Sequence, residues 1–131
     1  MPPFVRPRKA LPESRLALVT TGGVHLPEGP RFDIDDPGGD CSYREIPTHA
    51  QTLTWTHAYH RPDEGSDLDA VFPLWTMRDL VAAGEVGVLN HRHFSFMGAI
   101  HETGPLRERT APEVAEKLVG DAVDAVLLTP S

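Results

Sequence analysis

Apolar residues gather in a few short runs along this chain, separated by long polar stretches. The clearest run is "RLALVTTGG" over residues 15–23. Its apolarity is continuous rather than alternating, which predicts a strand covered on both faces. A loop of Thr20, Thr21, Gly22 and Gly23 follows at its carboxyl end. "TLTWTH" over 52–57 is β-branched and aromatic and predicts a second strand. Leu74, Met77, Leu80 and Val81 recur at helical spacing between Pro73 and Gly84, predicting a helix with a proline start and a glycine stop. Residues 85–98, "EVGVLNHRHFSFMG", predict a short strand or two. A second helix is predicted over 110–120, with Thr110 and Glu113 at capping-box spacing and Gly120 closing it. "VDAVLLT" over 123–129 predicts a last, buried strand. This order implies an α/β fold: a mostly parallel open sheet with flanking helices, Rossmann-like, with long irregular loops.

Between these elements lie residues 25–47, a proline-, glycine- and aspartate-rich excursion, and the polar loop 61–69. Residues 1–14 contain four prolines and predict an extended arm before a single α/β domain over 15–131. The 131 residues are 40% apolar and 24% charged, ordinary for a globular chain, and carry a net charge of −7. That balance argues against a nucleic-acid partner and against an anionic membrane surface, both of which need a basic face. No run approaches a membrane span, and the first residues lack the apolar core of a signal peptide, so the expected location is cytoplasmic. The single cysteine, Cys41, allows no internal disulfide.

Chemistry is suggested at two places. "TTGGVH" at a strand end could offer N–H groups and hydroxyls to an anion such as a carboxylate. It is neither a dinucleotide fingerprint nor a P-loop. The seven histidines are the second place. His91 and His93 would share one face of a strand, and His57 and His60 form another close pair. These four are weak candidates for zinc or copper, without the second half of a firm zinc spacing. His93 and Ser95 would face away from Phe94 and Phe96 and so are site candidates. Cys41 reads as a loop cysteine rather than a nucleophile, and the acidic loop has no EF-hand register.

Four stretches together, "RLALVTTGGVHL", "DPGGDCSYREIP", "VFPLWTMRDLVAAGEVGVL" with "HRHFSFMGAI", and "VGDAVDAVLLTP", resemble the selenoprotein B component of glycine, sarcosine and betaine reductases and the related subunit of D-proline reductase. The resemblance spans about residues 7–130. It implies an oxidoreductase subunit acting in reductive cleavage of a carbon–heteroatom bond in a small carboxylate-bearing molecule. In the family the reactive selenocysteine or cysteine follows the strand matching 126–130. Here the sequence stops at Ser131, and Cys41 lies in a different segment. A naturally short subunit, a cleavage product and a truncation all remain open. The resemblance implies a complementary chain carrying the thiol or selenol, an oligomer, and a sheet face left under-covered where the next helix would lie. Thr20, Thr21, Gly22, Gly23 and Ser95 would then bind substrate, and His25, His57 and His93 would polarise it or move protons. The rival readings are a non-catalytic histidine-lined ligand- or metal-binding module and a structural partner subunit.

Overall fold

In the computed structural model, residues 6–55, 68–98 and 100–130 are described. The main sheet holds β1 (Arg15–Thr20), β3 (Tyr43–Pro47), β5 (Val88–Leu89), β6 (Arg92–Phe96) and β7 (Ala125–Thr129). β1 lies at its centre, parallel to β5 and β6 along one edge and parallel to β7 along the other. β3 adds an antiparallel border beyond β6. The sheet is therefore mostly parallel, as expected. β2 (Val24–His25) and β4 (Thr54–Trp55) form a separate antiparallel ladder. Among its described residues, the predicted strand at 52–57 thus contributes Thr54 and Trp55 to this ladder and none to the parallel sheet.

β1 is covered on both faces because its side chains alternate between two cores. Leu16 and Leu18 join Ile46, Phe72, Leu74 and Met77 under helix α2 (Leu74–Ala82). Val19 joins Phe94, Phe96 and Val114 under helix α3 (Ala111–Gly120). The one-turn helix α1 (Leu68–Val71) precedes α2, and its Asp69 carboxylate accepts the backbone N–H of Trp75 at 3.1 Å, capping α2. Gly84, at φ 79°, lies just past α2.

Local expectations change at several points. β3 lies inside the predicted excursion 25–47; only Ile46 of its residues is buried, so its apolar signal is weak. The prolines of the arm do not prevent a 3-10 turn at Leu11–Glu13, to which β5 is tied through Gly87 N–H to Leu11 O and Val88 N–H to Ser14 O, both 3.1 Å. The second helix does not start at a Thr110 cap. The chain is helical from residue 104, and Leu106–Thr110 is a π turn closed by Ala111 N–H on Leu106 O. Pro112 supplies the cause: it has no N–H for the carbonyl of residue 108, and its ring crowds that turn, so the helix widens ahead of it.

The same helix ends on a Schellman motif, with Ala122 N–H on Val119 O and Val123 N–H on Leu118 O. The left-handed position is Ala122, at φ 61°, rather than the glycine at 120. Ala122→Gly is expected to raise stability by about 0.5–1 kcal/mol, read as a higher denaturant midpoint with unchanged slope.

β7 is not buried. It is an edge strand paired to β1, with Val126, Leu127 and Leu128 exposed by 39%, 39% and 70%. No described helix is long and apolar enough to cross a membrane.

Candidate functional site

Parallel pairing brings the carboxyl ends of β1, β6 and β7 to one rim. Thr20 stands opposite Ser95 on one side and opposite Thr129 on the other. In-register neighbours share a sheet face, so three hydroxyl side chains form a row across three strands. The Thr20 hydroxyl points at Thr129 O, 2.9 Å away, and lies 3.3 Å from Val71 O. Ser95 Oγ and Thr129 Oγ1 are buried without a hydrogen-bond partner.

The loop after β1 does not present the free N–H groups expected of an anion cradle. Thr21 N–H donates to Thr129 O at 3.1 Å, and Gly23 N–H to Phe96 O at 2.9 Å. Gly22 N–H donates to Thr20 Oγ1 at 3.0 Å. These three donors bind the strand ends together instead. Glycine is required here by geometry: Gly23 has φ 67°, and a Cβ on Gly22 would lie 2.3 Å from Val71 Cγ1. The exposed Thr21 side chain is what the loop turns outward.

His93 is fully buried, and both ring nitrogens are occupied. Leu18 N–H donates to Nδ1 at 2.9 Å, so the ring proton sits on Nε2 and is given to Thr48 Oγ1 at 2.7 Å. The Thr48 hydroxyl in turn donates to Asn90 O. The cause lies in the strand beside β1. It is interrupted at Asn90–His91, between β5 and β6, and no ladder carbonyl meets Leu18 N–H. The imidazole takes that place. Burial, with Arg78 and His91 nearby, pushes its pKa down to about 4, so it is neutral at physiological pH. Arg78 of α2 closes the network by donating to the carbonyls of Thr48 and Ala50. Thr48 and Arg78 carry no sequence signal for this role, since contacts across 30 to 45 positions have no local pattern.

His91 and His93 do not share a face, because the interruption turns His91 outward. His91 is exposed beside Asp121, at 3.9 Å. Asp121 accepts two bonds from Arg92 and one from Asn90, which hold its carboxyl at about 2. His25 is buried on β2, with Nδ1 2.8 Å from Leu26 O, and edges onto Phe32 at 6.4 Å. Arg44 lies over the same Phe32 ring at 4.3 Å and donates to Pro30 O and Arg31 O, ordering the long loop that sequence patterning left irregular. Cys41 is a half-buried free thiol in that loop. His57, His60 and Ser131 lie outside the described residues. Among the described residues, no group of three or more His, Cys, Asp or Glu side chains is placed to hold a metal.

A cavity of about 490 Å³ opens at the rim, walled by Thr21, Phe96, Met97, Ile100, Leu106 and Ala111. A volume of that order suits a small molecule. A neighbouring cavity of about 400 Å³ shares Met97 and Gly98 with it and is lined by Asp33, Asp35, Asp36, Asp40 and His101.

Parallel strand ends gathered beside a small-molecule-sized cavity place this chain among α/β proteins, a class in which ligands commonly bind at the carboxyl rim of the sheet. Within that class, the chain belongs to the glycine/sarcosine/betaine reductase selenoprotein B family, whose sequence profile matches residues 3–131. It is 36% identical over 132 residues to the D-proline reductase subunit gamma of Acetoanaerobium sticklandii, covering 98% of this chain and 53% of that relative. It is 31% identical over 140 residues to the glycine reductase complex component B subunit gamma of Peptoclostridium acidaminophilum. The corresponding subunit of Symbiobacterium thermophilum is 33% identical over 145 residues. Each alignment covers 98% of this chain but 32% of the glycine reductase subunit. The chain thus spans about half, or a third, of these relatives' length. No solved structure matches it.

Proposed function

We propose that this chain is a subunit of a reductase that cleaves a carbon–heteroatom bond in a small carboxylate-bearing molecule, with the thiolate or selenolate carried by a partner chain. The observation that carries the reading is the convergence of β1, β6 and β7 on one cavity in a member of a reductase family. Substrate binding falls to the cavity and the outward Thr21 hydroxyl, since the amides of residues 21–23 are already bonded within the protein. Proton handling is assigned to His25 and His57, while His93 holds Leu18 N–H and Thr48 in place. The exposed Val126, Leu127 and Leu128 of β7 offer the partner chain an apolar edge.

Two linked measurements test this. The purified chain, given a dithiol reductant and D-proline or glycine, is expected to show no turnover, with or without Cys41→Ser. The complex isolated from its native cells is expected to contain a second chain bearing a reactive cysteine or selenocysteine and to turn over. Turnover by the purified chain that survives Cys41→Ser sinks the proposal. So does a native species consisting of this chain alone.

A further inference from the structure

The rim cavity has a composition that restricts what it can hold. None of the described residues lining it is charged: Phe96, Met97, Ile100, Leu106 and Ala111 make most of the wall, and Thr21 and Thr103 are its only hydroxyl-bearing residues among those described. Leu106 and Ala111 are five residues apart. In a regular α-helix they would point roughly 140° apart, and only one could face the cavity. The π turn, closed by Ala111 N–H on Leu106 O, realigns them so that both line it. Such turns are rare and recur at functional sites.

From these observations we infer that this cavity selects the apolar body of the ligand, with Leu106, Ile100 and Met97 as the specificity-determining side chains. The acidic cavity beyond Met97 and Gly98 disfavours a carboxylate on that side. An anionic group on the ligand therefore points the other way, toward the exposed Thr21 hydroxyl. The ligand class is a small monocarboxylate with a branched or cyclic aliphatic body; a carboxylate without such a body is rejected. The choice of a carboxylate rests on the reductase reading. The apolar selectivity does not.

The test compares 4-methylpentanoate with acetate, which share the carboxylate and differ in the body. Amide signals of the full chain are followed by NMR during titration with each. 4-Methylpentanoate is expected to shift Met97, Ile100 and Leu106 and to bind at least tenfold more tightly than acetate, since each buried methylene contributes about 0.8 kcal/mol. Ala111 is solvent-accessible in the helix, so Ala111→Phe is expected to fold normally while filling the cavity and weakening 4-methylpentanoate at least tenfold. Equal binding of the two acids overturns the inference. So does binding untouched in a folded Ala111→Phe variant, which would place the ligand elsewhere. A native complex without reductive turnover would remove the reductase reading and leave this selectivity standing.

Discussion

Replacing His93 with alanine is expected to destabilise the protein by about 3–5 kcal/mol. Two losses combine. The fully buried ring leaves a cavity beside Phe72, whose ring centroid is 6.1 Å away. Leu18 N–H, at the centre of the sheet, then has no acceptor, and Thr48 loses the proton it received from Nε2. The native protein should also show the pH dependence of a buried neutral imidazole. The folded pKa of about 4 lies below the ordinary 6.5. Between those values the unfolded chain binds a proton that the folded chain refuses, so this contribution is complete above pH 6.5 and is lost as pH falls toward 4. Its size is on the order of 3 kcal/mol. Denaturant midpoints measured from pH 7 to pH 4 should fall steeply in the native protein and more gently in a folded His93→Asn variant. A flat native profile over that window would show that the ring is not held neutral. Nitrogen-15 shifts offer an independent check, with the proton expected on Nε2.

Gly22→Ala is expected to cost about 1–3 kcal/mol through overpacking. The added Cβ would meet Val71 Cγ1 at 2.3 Å, and Val71 is β-branched with little rotamer freedom. Relief requires moving α1, which lengthens the contact between Thr20 Oγ1 and Val71 O. Val71→Ala removes the obstructing methyl groups, so the double variant should be more stable than the sum of the single costs predicts. Strict additivity in a double-mutant cycle would refute the steric account. Because Gly22 N–H also holds Thr20 Oγ1, a displaced loop should reduce ligand binding at the rim along with stability.

Several features of this protein are set by sequence alone. The continuous apolar run of β1 specifies a strand buried on both faces, because neither side chain parity can be left in water. Proline before 74 and glycine at 84 bracket α2 through backbone constraints that act within one turn. The motifs around "VTTGGVHL" and "HFSFMG" identify the family, since they are local and ordered along the chain. These are short-range properties, and periodicity or steric limits express them directly.

Tertiary structure decided the rest. His93 looked like a free imidazole on a strand; an interruption two residues upstream left Leu18 N–H without a carbonyl and consumed the ring. The loop amides looked like an anion cradle; β6 and β7 arrived in register and used Gly23 and Thr21 N–H for their own ends. Leu106 and Ala111 share a cavity wall through a π turn that follows from a proline, yet the cavity exists only where β1 and β6 meet that helix. β7 reads as a buried strand from its leucines, but burial depends on a covering element, and at an edge the same leucines face solvent. In each case the deciding partner lies tens of residues away, where no local pattern records which donor meets which acceptor.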